Sequence, residues 1–168
     1  MDTFQFRQFI SRPHHFSIET FLDFMLAGHI VDGRGGGLVI GRSHDEGNIY
    51  LISQTANDPS RFTFTACLEG GEYLVNHRAY QSHRARLHAI NQDRGDTSSL
   101  PAIKPAAQTR IINTVAEPFD KIILMDWREM FIANKFSTAA HLAELERIND
   151  SASDFAVCDL SHLGFPGE

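Results

Sequence analysis

The ionisable residues best placed to do chemistry are His44, followed directly by Asp45 and Glu46, and the pair Glu69 and Glu72, which flank Gly70 and Gly71. An imidazole oriented by a carboxylate is the minimum arrangement for activating water or a nucleophile. His44, Glu69 and Glu72 are therefore the catalytic set expected if the chain is an enzyme, and the reaction expected of it is hydrolysis. That chemistry requires the groups to meet within about 3 Å of one another. Cys67 is a second nucleophile by type, but it alternates with Thr63 and Thr65 and has no neighbouring cation in sequence to lower its pKa.

The same residues also support a structural reading. Gly47, Gly70 and Gly71 can supply positive φ in two turns. His44 and Asn76 can hydrogen-bond loop backbone, and Glu69 and Glu72 can pair with arginines. Those arginines lie just downstream: four Arg against one Asp between His77 and Arg94 give this window +3 and leave −9 for the remainder of a chain of net charge −6. Arg78, Arg84 and Arg86, with His44 and Asn76, are the expected binding residues. They could meet an acidic partner, nucleic acid or the acidic remainder of the chain. Nucleic acid is the least favoured of these, because the arginines spread around a helix and the whole chain is acidic.

The elements that must position these groups follow from periodicity. Ser17 precedes Ile18, Phe21, Leu22 and Met25 at helical spacing with Gly28 beyond, the pattern of a capped helix. Leu38 to Ile40, Ile49 to Ile52 and the alternating Phe62, Phe64, Ala66 and Leu68 read as strands. Glu69 to Glu72 reads as the turn of a hairpin into Tyr73–Val75. Tyr80, His83, Leu87 and Ile90 share one face of a basic helix over 78–91. After a long loop over 93–107, residues 110–115 and 121–125 read as strands. Asp126 is expected to cap a helix carrying Trp127, Met130 and Phe131, and Ser137 another carrying Leu142, Leu145 and Ile148. No internal repeat is evident.

The expected fold is a single α+β domain, mostly an antiparallel sheet with helices on one face. It divides into an N-terminal helical arm over 1–28, a motif-bearing part over 37–94, and strands with C-terminal helices over 109–160.

Composition sets the outer limits. At 168 residues, 42% hydrophobic and 21% charged, the chain can bury a core without staples. It has no apolar run of the roughly 20 residues needed to cross a bilayer and no signal-peptide layout, so no membrane association is expected. Cys67 and Cys158 read as buried free thiols. Nine His at non-ligand spacing give no metal site, and no cofactor is expected. Thirteen Phe call for a large aromatic core or a subunit interface.

Three ordered blocks, Gly41-Arg-Ser-His-Asp-Glu-Gly-Asn-Ile49, Glu69-Gly-Gly-Glu-Tyr-Leu-Val-Asn76 and Leu87-His-Ala-Ile-Asn91, together resemble the C-terminal region of phage tail tape-measure proteins. The matching positions are Gly41, Ser43, His44, Gly47 and Ile49, then Glu69 to Glu72 and Asn76, then Leu87, Ile90 and Asn91. Asn48 departs from a second Gly in the pattern. The resemblance implies a phage or prophage structural protein that docks to other subunits, as a homo-oligomer or in a larger phage-tail-like assembly. Its expected location is then a virion or the bacterial cytoplasm.

Overall fold

The computed structural model describes residues 15–99, 102–115 and 121–152. Residues 1–14 of the expected N-terminal arm and residues 153–160 of the expected C-terminal part, Cys158 among them, lie outside these. The described elements are strand β1 (Phe16–Ser17), helix α1 (Ile18–Leu26), strands β2 (Ile30–Asp32), β3 (Gly37–Ile40), β4 (Ile49–Thr55), β5 (Asp58–Leu68) and β6 (Tyr73–Val75), and helix α2 (His77–Gln92). Strands β7 (Ile111–Asn113), β8 (Ile122–Met125) and β9 (Phe131–Ala133) and helix α3 (Lys135–Asp150) follow. The α+β class holds, but the strands form two mixed sheets instead of one mostly antiparallel sheet. One has the order β1-β5-β4-β8-β2 and the other β7-β3-β6-β9. Parallel pairing occurs at β2–β8, β4–β8 and β3–β7.

The sheet faces border three cores. Phe16, Phe21, Phe24, Ile52, Phe62, Ile122 and Leu124 cluster between α1 and the five-stranded sheet. Leu51, Ile123, Met125, Val39, Leu74 and Ile112 fill the space between the sheets. Leu38, Tyr73, Val75 and Phe131 pack under Leu87 and Ile90 of α2 and Leu145 and Ile148 of α3. The result is four layers, with helices outside both sheets and not on one face alone. Strands buried on both faces are continuously apolar, as Ile122-Ile-Leu-Met125 is.

The aromatic surplus serves the first core. Phe21 stacks on Phe62 at 4.1 Å between centroids, and Phe16 lies 5.7 Å from Phe24. Helix α1 starts at the expected cap: Ser17 Oγ accepts from the Thr20 N–H at 3.4 Å, and Gly28 beyond the helix has φ +75°.

Three sequence expectations fail for identifiable reasons. Ser137 lies in the first turn of α3 and not at its cap, because Asn134 takes the cap position and accepts from the Ser137 N–H. Residues 126–130 form a tight connection and no helix, because Met130 is drawn into the core between the sheets and Phe131 into the core under α2 and α3. Strand β6 does not complete a hairpin with β5. It pairs antiparallel with β3 and β9 in the other sheet, so residues 69–72 carry the chain from one sheet to the next. Gly70 is required by that crossing, since a Cβ there would lie 2.3 Å from Gly41 O. Gly71 and Gly47 adopt φ of +93° and +134°, whereas Gly70 is not among the positive-φ glycines.

The structure also reveals an internal repeat. Asn-x6-His-x-Ala-x-Leu-x2-Ile-Asn occurs at Asn76–Asn91 and again, 58 residues on, at Asn134–Asn149. Each copy is a three-residue strand, an Asn cap and a 16-residue helix. The copies are related by a local two-fold axis. Leu74 pairs with Ile132 at its centre, with Tyr73 opposite Ala133 and Val75 opposite Phe131.

Candidate functional site: a carboxylate turn beside an asparagine seam

The loop 41–48 meets the turn 69–72 at the first residue of α3. Within the loop, Glu46 Oε2 accepts from the Ser43 N–H at 2.8 Å, and Arg42 Nη1 donates to Glu46 O at 3.1 Å. This ties the loop to itself and presents His44 toward the turn. Glu69, which is buried, accepts from the His44 N–H at 3.3 Å and forms a 3.0 Å ion pair with Lys135. Glu72 Oε2 accepts from the Glu69 N–H at 3.0 Å.

Burial pushes both carboxyls up, but the outcomes diverge. At Glu69 the Lys135 ammonium and the His44 N–H outweigh burial and hold the group below the usual carboxylate range. Glu72 stays above it, through burial first and then the nearby Glu69 charge. The expected partners were arginines of the basic helix; the partner in place is Lys135.

His44 reaches the cluster through its backbone. Its ring Nδ1 pairs with Asn48 Oδ1 at 3.2 Å, so an amide and not a carboxylate orients it. An open groove of about 220 Å³ lies alongside, lined by Leu38 to Gly41, Gly70, Gly71 and Ile103. That is below the usual size of a small-molecule site, and neither His44 nor either glutamate lines it. Cys67 is exposed on β5, not buried as expected, and desolvation of its thiol raises its pKa. Among the described residues, no group of three His, Cys, Asp or Glu could hold a metal ion, and no helix is long and apolar enough to cross a membrane.

The basic helix faces the acidic remainder of the chain. Arg84 pairs with Glu129 at 3.0 Å and lies 4.5 Å above the Tyr80 ring, and Arg86 grips Glu144 with two 2.7 Å contacts. Arg78 is exposed. Residues 86 and 144 are 58 apart, so this pair straddles the local two-fold.

Asn76 is 1% exposed and belongs to the seam between the repeats. Its Oδ1 caps α2 by accepting from the Ala79 N–H at 3.0 Å. Its N–H donates to Asn149 Oδ1 and its Nδ2 to Asn149 O, both at 2.8 Å. The second copy repeats every contact. Asn134 Oδ1 accepts from the Ser137 N–H at 2.9 Å, its N–H donates to Asn91 Oδ1 at 2.8 Å, and its Nδ2 donates to Asn91 O at 3.0 Å.

Each helix leaves helical geometry at its His, His83 (φ −127°) and His141 (φ −130°). The rings reach the far end of the opposite helix, His83 Nε2 pairing with Ser151 Oγ at 3.1 Å and His141 Nε2 with Asp93 Oδ2 at 2.9 Å. Asn91, Asn134, His141 and Asn149 were not among the expected site residues. The repeated Asn-x6-His spacing is the sequence signal that could have found them. No protein-family model, curated protein or solved structure matches the chain.

Proposed function

We propose that this protein is a structural docking component of phage or prophage origin, working through contacts with other protein subunits. The observation that carries this reading is the reciprocal asparagine seam. It engages Asn76 and Asn91, which belong to the tape-measure-like blocks, in holding two repeated units together. The same holds for Glu69 and Glu72, whose oxygens brace a sheet-to-sheet crossing.

Two measurements test the reading. Light scattering at high protein concentration is expected to show an oligomer, and a persistent monomer counts against self-assembly. His44→Ala and Glu72→Ala are expected to lower the melting temperature without removing any activity.

A hydrolase is the second reading. It is favoured by one observation: two neighbouring carboxyls whose pKa values are pushed apart, as in acid–base pairs. Hydrolysis of a panel of ester, amide, glycoside and phosphodiester substrates, lost in both variants with melting unchanged, would establish it and displace the docking reading.

A further inference from the structure

The local two-fold does not extend to the strands that flank β6 and β9. On its outer side β6 is covered by β3, but β9 ends its sheet with no described strand on its outer flank. The main-chain geometry of that flank follows from the β3 hydrogen bonds. The Leu38 N–H donates to Arg110 O, toward β7, and the Val39 N–H to Glu72 O, toward β6. Polar groups of successive strand residues alternate sides. Gly37, two residues from Val39 and opposite Leu74, therefore also addresses β6, and Leu74 turns its own groups to β3. Tyr73 and Val75 are left to bond Ala133 and Phe131. Ile132 consequently aims its N–H and C=O at the open flank.

A second group marks the same slot. At the covered flank Asn149 Nδ2 donates to Gly35 O at 2.9 Å, two residues before β3 begins. The repeat equivalent of Asn149 is Asn91. Its Oδ1 and carbonyl are engaged by Asn134, but no described residue accepts from its Nδ2. Gly36, the residue after Gly35, has to be glycine on the covered side, because a Cβ there would sit 2.4 Å from Asn149 Oδ1.

We propose that the outer flank of β9 is a strand-docking site for an extended segment of a partner protein, with small residues followed by aliphatic ones, as in Gly35-Gly-Gly-Leu-Val-Ile40. The segment runs antiparallel to β9 and bonds Ile132, and its leading Gly carbonyl accepts from Asn91 Nδ2. This is strand addition guided by a side-chain clasp. The chemistry of the occupant is taken from the strand filling the equivalent slot in the same molecule. The inference rests on the docking reading and names the partner's chemistry.

The test uses the full chain, labelled with ¹⁵N, and a synthetic peptide with the sequence of residues 34–42, Arg-Gly-Gly-Gly-Leu-Val-Ile-Gly-Arg. Binding is expected to shift the Ile132 amide and the Asn91 side-chain NH₂ signals. Ile132→Pro, tolerable on an edge strand, should weaken binding about ten-fold or more, and Asn91→Asp, which keeps the acceptor and loses the donor, by about three- to ten-fold.

Undiminished binding to either variant overturns the proposal, as do shifts centred on β3, which would mean displacement of the chain's own strand. An Ile132 amide already protected in the free protein also overturns it, the slot then being filled by the chain itself in a monomer or by a second copy in a dimer. Absence of peptide binding together with self-assembly through another surface would overturn this site and leave the docking reading standing.

Discussion

The two repeated units use one frame for different ends. Both units place an Asn at the helix start, a His at the kink and an Ile-Asn at the helix end, and both Asn pairs close with nearly equal distances. They differ in what surrounds the frame. Glu69-Gly-Gly-Glu72 precedes β6, whereas Trp127-Arg-Glu-Met130 precedes β9. The first residue of the opposite helix braces each turn, Lys135 at Glu69 by an ion pair and His77 at the Glu129 carbonyl by a 2.8 Å contact. Agreement between the units marks what holds the helices together. Disagreement marks where one unit has acquired a charged, partly buried turn and the other an exposed Trp and an open strand edge.

The seam gives the sharpest way to break this comparison. Asn76→Ala removes the cap of α2 and strands buried groups of Asn149, and should cost about 3 kcal/mol in urea unfolding. Asn149→Ala should cost a similar amount, and the double variant clearly less than the sum. Asn134→Ala, at the more exposed end, should cost only about 1–2 kcal/mol. Equal losses at Asn76 and Asn134 would mean that the two ends are energetically equivalent despite their different burial.

The turn comes next. Glu72→Ala leaves the Glu69 N–H without its acceptor and should cost about 1 kcal/mol, while Glu72→Gln keeps an acceptor and removes the charge. The folded pKa of Glu72 is raised, so its contribution is fully present below the unfolded value and is lost as pH rises through the folded one. Glu69 behaves oppositely, its contribution being lost as pH falls through its depressed folded pKa. The melting temperature of Glu72→Gln relative to the parent should therefore rise from about pH 4 to pH 7. A flat difference would remove the inferred burial effect.

Across the axis, Arg86→Glu or Glu144→Arg should each lower the melting temperature, and the exchanged pair should recover most of the loss. Recovery would show that the contact is a specific pairing and not general charge balance. The smallest effect is expected at Trp127→Ala. With the residue 58% exposed, stability should stay within about 0.5 kcal/mol, so any change in assembly would belong to a partner surface.

Local chemistry made some elements legible. Ser17 and Gly28 delimit α1, and the alternation from Phe62 to Leu68 reads directly as a strand, because caps and side-chain period act over a few residues. The basic helix is equally plain, and its suggested pairing with the acidic remainder of the chain is what Arg84 and Arg86 make. Other elements misled the reading. Met130 and Phe131 have helical spacing from Trp127 yet lie at a strand entrance, because two separate cores claim them. Glu69-Gly-Gly-Glu72 has the composition of a hairpin turn yet changes sheets.

The sequence by itself determined the two ends of α1 and the alternation of β5, and it held the Asn-x6-His-x-Ala-x-Leu-x2-Ile-Asn repeat, which became recognisable only once the two helices were seen to pair. The tertiary structure alone decided that Asn76 meets Asn149 and Asn91 meets Asn134, that Lys135 answers Glu69, and that β9 keeps an open flank. Contacts across 43 to 73 residues depend on how four layers stack, and that stacking is set by the sum of apolar burial and not by any local motif.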